Sequence, residues 1–402
     1  MKVNIHHIGK VVRNIAEELE NYSQLGFEVD RKIYIDQEQK VKVGKVKAGE
    51  VLIELLEPLD ETSPISKFHR KQGGVHHISI MVKDIDDYVR RFKADRLGFV
   101  LTKKTTSVFD QRTVCFISTN NREIIELIEK NQYDKVIFRT KEKDFRFADI
   151  VTALKEAGVE KGDTLMVHAD LAKFGKLGEI TNRSDFANVF VDAFLEVLGP
   201  EGTLLVPTFS YSFCNREIFD VKNTPSTVGL FTEELRKRKD ACRSIHPIFS
   251  VAAIGAKAAE LTTDLSQNSF GEGSVYDKLL KLENSKYLIF GVDYFACTLV
   301  HHIERQVGIP YRYVKEFAGT IINENHTFED KYEFFVRHLD SEVNPSFDKI
   351  EKRLLDRGLM KEVKLGEGKI QMVFNSDIYK EGLAGLEQDR WFFLKNEPNL
   401  RN

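Results

Sequence analysis

The stretch HHIGKVVRNI, residues 6–15, returns later in the chain as HHISIMVKDI, residues 76–85. The repeat extends beyond these residues, because a Leu-Gly-Phe triplet and an Ile-Glu-Leu triplet also occur once in each copy. In both copies, alternating apolar residues after the histidines predict a strand, and apolar residues three and four apart then predict a helix that is followed by further strands. Residues 1–131 are therefore predicted to form a tandem βαβββ pair, which is an internal repeat.

Each copy of the repeat contributes one histidine from its first strand and one glutamate from its last. These residues are His7, Glu54, His77 and Glu126. Two imidazoles and two carboxylates form a suitable ligand set for a divalent metal ion, with positions left for water or substrate oxygens. The neighbouring histidines, His6 and His76, are predicted to point to the opposite face of the strand.

The repeat and its four residues resemble the vicinal oxygen chelate superfamily, in particular its glyoxalase-like and methylmalonyl-CoA epimerase-like members. The resemblance implies that the paired modules close a cup around a metal ion held by these four residues. A second hypothesis stays open, in which the module keeps symmetric residues through shared ancestry of its halves and now only packs or dimerises.

The composition is that of an ordinary globular protein. A chain of 402 residues exceeds the usual size of one core, so two domains are expected. With a net charge of -3, the chain lacks the basic footprint of a nucleic-acid-binding protein. It shows no apolar run of membrane-spanning length and no signal-peptide pattern, and its cysteines are isolated. We therefore expect a cytoplasmic protein with reduced thiols that binds neither nucleic acid nor membrane.

A second domain is predicted to follow a linker. Residues 132–145 are charged and lack a sustained pattern, which is typical of a linker. From residue 146 onwards, amphipathic helices alternate with the apolar strands TLMVHAD, GTLLVPTF and KYLIFGV. This alternation predicts an α/β layered domain over residues 146–402. The expected fold class is thus mixed α/β and α+β, with the tandem βαβββ module first and the layered domain second.

Five segments of the second domain carry polar residues in a distinctive order. They are VHADLAKFG at 167–175, PTFS at 207–210, RSIHP at 243–247, FGEGS at 270–274 and TLVHHIE at 298–304. Together these segments resemble the aminoglycoside 3-N-acetyltransferase family, whose members transfer acyl groups from coenzyme A to amines. The resemblance covers roughly residues 145–315. It implies the fold of that family for the second domain and acyl-CoA as a co-substrate.

The most specific of these segments, TLVHHIE, indicates a catalytic pair. The resemblance implies that His301 is the general base, since a free imidazole with a pKa of about 6.5 can accept a proton at neutral pH. On a helix, Glu304 lies beside His301 and can orient its ring. His246, in the turn RSIHP, is a further catalytic candidate that would bind substrate or assist the base. A purely structural loop is the open alternative for His246.

The segment that follows the strand TLMVHAD is the candidate coenzyme-binding site. Its backbone N–H groups are predicted to bind the coenzyme pyrophosphate or the thioester oxygen, and they belong to Asp170, Leu171, Ala172 and Lys173. Asp170 departs from the serine-rich segment of the relatives, and Lys173 can offset its charge. Thr208, in PTFS, is predicted to supply a hydroxyl to the pocket, or else to satisfy backbone groups at a strand end.

The fusion of the two domains resembles the nucleotide-linked amino-sugar N-acyltransferases of bacterial surface-polysaccharide pathways such as O-antigen biosynthesis. This resemblance implies a dTDP-3-amino-3,6-dideoxyhexose acceptor, such as dTDP-Fuc3N, and 3-hydroxybutyryl-CoA as a candidate donor. Three alternatives stay open: the same chemistry on an aminoglycoside, a metal-dependent acyl-CoA epimerase or isomerase in the N-terminal domain, and a non-catalytic scaffold. Whether the chain forms a homo-oligomer is left open as well.

Overall fold

The chain divides into two compact units in the computed structural model, residues 1–132 and residues 133–402. We call them the N-terminal unit and the C-terminal unit. The structure describes residues 4–49, 51–108, 112–339 and 343–399. None of the helices formed by these residues is long and apolar enough to span a lipid bilayer.

The N-terminal unit is built from two related copies, as the repeat predicts. The first copy is βαβββ, and in the second the strand after the helix is divided into two short strands that both pair with the next strand. Its strands are β1 (Asn4–Val11), β2 (Glu28–Asp36), β3 (Val41–Ala48), β4 (Val51–Pro58), β5 (Gly74–Val82), β6 (Gly98–Val100), β7 (Thr105–Thr106), β8 (Thr113–Thr119) and β9 (Ile124–Glu129). Its helices are α1 (Ile15–Gln24), α2 (Ser66–Arg70) and α3 (Ile85–Ala94).

The strands of the N-terminal unit form one mixed sheet in the order β2-β3-β4-β1-β5-β9-β8-β6, with β7 beside β8. Strands β1 and β5 pair antiparallel at its centre. Each of them also pairs in parallel with the last strand of its own copy, β1 with β4 and β5 with β9. The first and last strands of both copies are therefore side by side in the middle of the sheet.

A polar residue sets the start of the long helix in each copy. The side chain of Asn14 accepts a hydrogen bond from the backbone N–H of Glu17 at the start of α1. The side chain of Asp84 accepts one from Asp87 at the start of α3. Such N-caps stabilise a helix by about 1 kcal/mol. The same chemistry thus starts both helices of the repeat.

The C-terminal unit contains thirteen strands in the described residues. They are β10 (Phe138–Arg139), β11 (Asp144–Phe145), β12 (Thr164–Ala169), β13 (Lys176–Leu177), β14 (Thr203–Pro207), β15 (Phe219–Asp220), β16 (Cys242–Arg243), β17 (Val251–Gly255), β18 (Ser285–Phe290), β19 (Arg312–Asn323), β20 (His326–Arg337), β21 (Met360–Leu365) and β22 (Gly368–Phe374). Its helices are α4 (Phe147–Glu156), α5 (Arg183–Leu198), α6 (Leu230–Arg236), α7 (Ala258–Thr262), α8 (Val275–Leu280), α9 (Leu299–Val307), α10 (Asp348–Asp356) and α11 (Asn375–Gln388).

The main sheet of the C-terminal unit has the order β16-β17-β14-β12-β18-β22-β21. Strand β12 is parallel to both β14 and β18, as the predicted alternation of strands and helices requires. Met166 points into one apolar core, whereas its neighbours Leu165 and Val167 point into another. Because both faces of the sheet are covered, these strands are apolar throughout. A separate sheet joins the long β19–β20 hairpin to β15.

The segment 132–145, expected to be a linker, is largely packed into the C-terminal unit. It contains β10 and β11, and β10 also pairs with β13. Ile137 and Phe138 are fully buried, and the Phe138 ring stacks on the Phe145 ring with centroids 4.6 Å apart. In the sequence this apolar group is flanked by charged residues. It is also too short to show the hydrophobic periodicity of a strand or a helix.

Candidate active site and candidate metal centre

Helix α9 carries the predicted catalytic pair one turn apart. His301 Nδ1 lies 2.7 Å from Glu304 Oε2, so the ring N–H donates to the carboxylate. Before the helix, the backbone N–H of Thr298 donates to the hydroxyl of Tyr287 at 2.9 Å. After it, Gly308 adopts a φ of +70°, which glycine tolerates and which ends the helix. The helix is thus held at both ends, and the pair predicted from the sequence is in contact.

Glu304 is a buried carboxylate with three partners. Besides His301, it accepts a hydrogen bond from the Tyr311 hydroxyl at 2.9 Å, and its Oε2 lies 2.8 Å from Arg312 Nε. Burial raises the pKa of the Glu304 carboxyl, but Arg312 and His301 outweigh burial and lower it. Glu304 is therefore ionised at neutral pH and can hold the imidazole in place.

Tyr311 and Arg312 are functional residues that the sequence analysis did not identify. Both follow shortly after Gly308, where the chain leaves α9 and turns back past it into β19. A buried carboxylate requires a cationic or hydrogen-bonding partner. The arginine shortly after the helix was therefore the feature of the sequence that could have predicted a partner for Glu304.

His301 also lines a cavity of about 510 Å³. Because Nδ1–H is donated to Glu304, Nε2 carries the free lone pair. The His301 side chain is 19% exposed, which leaves it accessible to a bound molecule. The described residues around the cavity are mainly aromatic, aliphatic and basic, and they include Phe295, Arg312, Tyr313, Lys315, Phe334 and Arg337.

The environment of His301 favours its neutral form. Burial lowers the pKa of the imidazole, and the charge of Arg312 lowers it further. The hydrogen bond and charge of Glu304 act in the opposite direction but only partly offset these effects. His301 is therefore an unprotonated base at neutral pH.

We expect kcat/KM to decline on the acid side with a midpoint below the ordinary imidazole pKa of about 6.5. As pH falls through the lowered pKa of His301, the ring gains a proton and can no longer act as a base. Initial rates from about pH 5 to pH 9 would show this limb. Acceptors whose amines differ in pKa provide the control, because a limb set by protonation of the acceptor amine moves with that pKa, whereas the limb set by His301 stays in place. A limb that stays in place with a midpoint above about 6.5 would contradict the arrangement.

The segment Leu171–Lys173 forms a single 3₁₀ turn, not the start of an α-helix. Three of the four backbone donors predicted here are already used, since Asp170 N–H donates to Phe290 O at 2.9 Å and Lys173 N–H to Asp170 O at 3.3 Å. Ala172 N–H donates to the Asp170 side chain at 3.1 Å. These three amides, proposed above as coenzyme or oxyanion donors, are not free in this conformation, because Asp170 caps its own turn.

Thr208 lies inside a buried polar network. It is fully buried, and its hydroxyl is 3.0 Å from Ser250 Oγ and 3.3 Å from Arg243 Nε. The Arg243 guanidinium also donates to the backbone oxygen of Thr208 at 2.9 Å. The contacts fit the structural alternative for Thr208 and do not place its hydroxyl in the cavity of His301.

His246 is likewise held by structural contacts. Its Nδ1 accepts hydrogen bonds from the backbone N–H groups of Ile248 at 3.3 Å and Phe249 at 3.0 Å. Burial lowers the pKa of His246 to about 3, so the ring stays neutral. These contacts fit the structural alternative for His246, in which its side chain stabilises the RSIHP turn and takes no part in the reaction.

In the N-terminal unit, the four predicted metal ligands converge at the centre of the sheet. All of them are buried. His7 Nε2 lies 3.2 Å from His77 Nε2, 3.3 Å from Glu54 Oε2 and 3.1 Å from Glu126 Oε2. The parallel pairs β1–β4 and β5–β9 place each glutamate on the strand beside the histidine of its own copy. Glu126 nevertheless lies closer to His7 than to His77, whose Nε2 is 3.9 Å away. Ligand atoms of three residues, His7, His77 and Glu126, lie within 4.8 Å of one another.

The two histidines of this cluster have opposite protonation preferences. Burial lowers the pKa of His7, but Glu54 and Glu126 outweigh burial and raise it to about 10. Burial lowers the pKa of His77 to about 3, and the charge of His7 contributes in the same direction. Two carboxylates therefore favour one positive charge at the centre of the cluster.

The cluster borders a cavity of about 500 Å³. Glu54, His77 and Glu126 form a polar part of its wall, and residues such as Val43 and Phe116 form an apolar part. A cavity of this size can hold one small molecule.

The prediction that His6 and His76 face away from the cluster is wrong. His6 Nδ1 lies 2.9 Å from His7 Nδ1, and His76 Nδ1 lies 3.0 Å from His77 Nδ1. Strict alternation along a strand does not allow such contacts, and irregular pairing of β1 with β5 accounts for them.

Comparison with protein families supports the sequence analysis for both units. The glyoxalase/bleomycin resistance protein/dioxygenase superfamily matches residues 6–116. The aminoglycoside 3-N-acetyltransferase family matches residues 166–387, which is more than half of the chain. The resemblances stated for the two units are therefore confirmed, whereas the resemblance of the fusion to nucleotide-linked amino-sugar N-acyltransferases stays a prediction.

Individual relatives agree with this result. Aminoglycoside N(3)-acetyltransferase IV of Salmonella sp is 26% identical over 255 residues, covering 62% of this chain and 91% of the relative. A prophage-derived aminoglycoside N(3')-acetyltransferase-like protein of Bacillus subtilis (strain 168) is 27% identical over 224 residues, covering 50% of this chain and 79% of the relative.

Solved structures show the same fold. The aminoglycoside acetyltransferase AAC(3)-Xa has a TM-score of 0.54 and 24% identity, covering 62% of this chain and 94% of its own. AAC-IIIb, solved as a binary complex with CoASH, has a TM-score of 0.52 and 24% identity, covering 63% of this chain and 98% of its own. Since the family model matches more than half of the chain, the chain belongs to the aminoglycoside 3-N-acetyltransferase family and is an N-acyltransferase.

Proposed function

We propose that the protein transfers an acyl group from acyl-CoA to the amine of an amino sugar, with His301 as the general base. The observation that carries this proposal is a neutral imidazole at a cavity, oriented through Nδ1 by the buried carboxylate of Glu304. A relative of the same fold was solved with CoASH, which supports the thioester as donor.

The reaction needs no covalent enzyme intermediate. His301 Nε2 takes a proton from the acceptor amine while the amine nitrogen attacks the thioester carbonyl carbon. The negative charge of Glu304 stabilises the imidazolium that forms. When the C–S bond breaks, the amide is complete, and the coenzyme A thiolate takes up the proton that His301 releases. The protein therefore ends the cycle in its starting protonation state.

The basic lining of the cavity favours an acceptor that carries phosphate. Lys315 and Arg337 line it together with Arg312, whose charge is balanced by Glu304. None of the described lining residues is a carboxylate; Asp340 and Glu342 lie outside the described part of the chain. Lys315 and Arg337 form no ion pair within the described ranges, and two such cations would repel a polycationic aminoglycoside and attract a nucleotide diphosphate. This supports a dTDP-3-amino-3,6-dideoxyhexose such as dTDP-Fuc3N as acceptor, with 3-hydroxybutyryl-CoA as a candidate donor.

The second candidate acceptor is an aminoglycoside. The relatives in the family are named for this substrate class, and these names agree with the alternative better than with a nucleotide-linked sugar. However, the sequence identity of these relatives to this chain is low. The basic lining of the cavity favours a phosphate-bearing acceptor over an aminoglycoside.

Release of free thiol tests the function and separates the two acceptors. The protein is mixed with acetyl-CoA or 3-hydroxybutyryl-CoA and with either dTDP-amino sugars or aminoglycosides. Thiol release that requires the dTDP-amino sugar would support the proposal. Release only with aminoglycosides would assign the protein to the second candidate, and no release with any amine would contradict both.

Replacing Lys315 with glutamine should raise KM for a phosphate-bearing acceptor about twofold to fivefold, as expected for an exposed ion pair worth up to about 1 kcal/mol. Steady-state kinetics with each substrate varied in turn would measure this. Lys331→Gln is the matched control, because Lys331 lies on the same hairpin but does not line the cavity. A rise in KM for acyl-CoA alone would assign Lys315 to the donor and contradict the argument about the acceptor.

We further propose that His7, His77 and Glu126 hold a divalent metal ion, with Glu54 as a fourth ligand. The residues fit such an ion, since they are buried nitrogen and oxygen donors and the ligand atoms of His7, His77 and Glu126 lie within 4.8 Å of one another. When bound, the ion would polarise an oxygen atom of a molecule in the cavity of about 500 Å³. This arrangement supports an acyl-CoA epimerase or isomerase activity as a second function. Racemisation of a chiral acyl-CoA that disappears after treatment with a chelator would test it.

A further inference from the structure

We infer that His6 and His76 are positioning residues that orient the metal-facing imidazoles of His7 and His77. The inference rests on the proposed metal site, and it goes beyond that site by assigning a role to the second histidine of each pair. It also explains why the chain has a histidine pair in both copies of the repeat, when one ligand per copy would suffice.

The backbone places the two additional histidines at β-bulges. Ile5 pairs with Ile80, whereas His7 pairs with Ser79, so His6 is an extra residue on β1. At the other end of the same ladder, Gly9 pairs with His77 and Lys10 with Val75, so His76 is an extra residue on β5. A bulge redirects a side chain that would otherwise alternate to the other face. The two bulges are related by the symmetry of the repeat.

The redirected rings complete a row of four imidazoles. The order is His6, His7, His77 and His76, with nitrogen-to-nitrogen distances of 2.9, 3.2 and 3.0 Å. The outer contacts join Nδ1 to Nδ1, and the central contact joins the two Nε2 atoms. Each central imidazole therefore has its Nδ1 facing a partner. On the other side of the ring, His7 Nε2 lies near both glutamates, and His77 Nε2 lies 3.9 Å from Glu126 Oε2.

The different partners of Nδ1 and Nε2 match the requirements of a metal-binding histidine. When Nε2 donates its lone pair to a metal ion, the ring proton must lie on Nδ1, and an acceptor for that proton fixes the tautomer and the orientation of the ring. A carboxylate or a backbone carbonyl usually serves as the acceptor. Here Nδ1 of His6 or His76 is the atom within hydrogen-bonding distance, so a neutral imidazole takes that role.

The packing around His77 leaves little freedom for its ring. A Cβ atom on Gly9 would lie 2.2 Å from His77 Cε1, so only glycine leaves room for the imidazole at this position. On its other sides, the ring meets Phe116 with centroids 5.2 Å apart and His76 with centroids 5.3 Å apart. A ring held by packing and by one hydrogen bond is pre-oriented for metal binding.

The inference is tested by titrating Zn²⁺ into the full-length protein in competition with a chromophoric chelator. His6→Ala and His76→Ala should each weaken binding about 10-fold to 100-fold. His6→Asn and His76→Asn should restore most of the affinity, because the amide oxygen of asparagine takes the place of Nδ1 as acceptor. His69→Ala is the matched control, since its imidazole contacts the backbone of Arg13 and not the cluster. Absorption bands of bound Co²⁺ provide a second readout of ligand geometry.

Each outcome of the titration is decisive. If wild-type protein binds Zn²⁺ and both alanine variants bind it equally well, the positioning role is overturned while the metal site stands. If wild-type protein does not bind Zn²⁺, the metal site itself is wrong and the inference falls with it. If the alanine variants melt at lower temperature without metal and asparagine does not restore affinity, the two histidines only support the bulges, which also overturns the inference.

Discussion

Replacing His301 with alanine is expected to lower kcat for release of coenzyme A thiol by a factor of about 10² to 10⁴, the range typical of a lost general base. The imidazole is the one group in the described part of the cavity that combines a free ring nitrogen with a buried carboxylate partner. Without it, the acceptor amine has to lose its proton to water. KM for acyl-CoA should change little, because the base acts on the amine.

His326→Ala is the control for this variant. His326 is exposed at the start of β20 and does not line the cavity, so kcat should equal that of the wild type. His301→Gln adds a second comparison, because glutamine can still hydrogen-bond to Glu304 but cannot act as a base at neutral pH. A His301→Ala variant that keeps more than about a tenth of the wild-type kcat would reject His301 as the base.

Replacing Glu304 with alanine is expected to affect both stability and rate. The free energy of unfolding of the C-terminal unit should fall by about 3 to 5 kcal/mol, because the change leaves the charge of Arg312 buried without its partner. The Tyr311 hydroxyl loses its acceptor at the same time. The rate should fall as well, since His301 loses the group that orients its ring and stabilises its protonated form.

Glu304→Gln separates these two effects. Glutamine keeps the shape of the side chain and can still accept from Tyr311, so the loss of stability should be smaller than for alanine. It cannot offer a carboxylate to the imidazolium, so kcat should still fall by about 10² or more. Urea unfolding followed by a probe in the C-terminal unit, together with single-turnover rates, would measure both quantities. A Glu304→Gln variant with wild-type kcat would show that the carboxylate charge has no role in catalysis.

The parts of the molecule that depend on local periodicity could be predicted from the sequence. The tandem βαβββ repeat was visible because each copy carries the same strand and helix patterns. The strands TLMVHAD, GTLLVPTF and KYLIFGV were recognisable because burial on both faces requires continuous apolar runs. His301 and Glu304 could be paired because a spacing of three residues on a helix determines their distance in advance.

Other features depended on contacts between segments far apart in the chain. The apolar group at Ile137 and Phe138 is too short to show a period, so its packing against β13 and α5 was not visible. The burial of Thr208 depends on Arg243, which arrives from another strand and satisfies its backbone oxygen. The polar character of a residue does not reveal whether its hydrogen-bonding groups bind water or other groups of the protein.

The sequence by itself indicated the two units, the contact between His301 and Glu304 and the set of four metal-ligand candidates, because local spacing and internal symmetry encode all three. Only the tertiary structure decided that Arg312 and Tyr311 complete the environment of Glu304, because their approach depends on how the chain turns after α9. It also decided that His6 and His76 contact the candidate metal ligands His7 and His77. A bulge results from the register between two paired strands, and register is a property of the pair that neither strand carries alone.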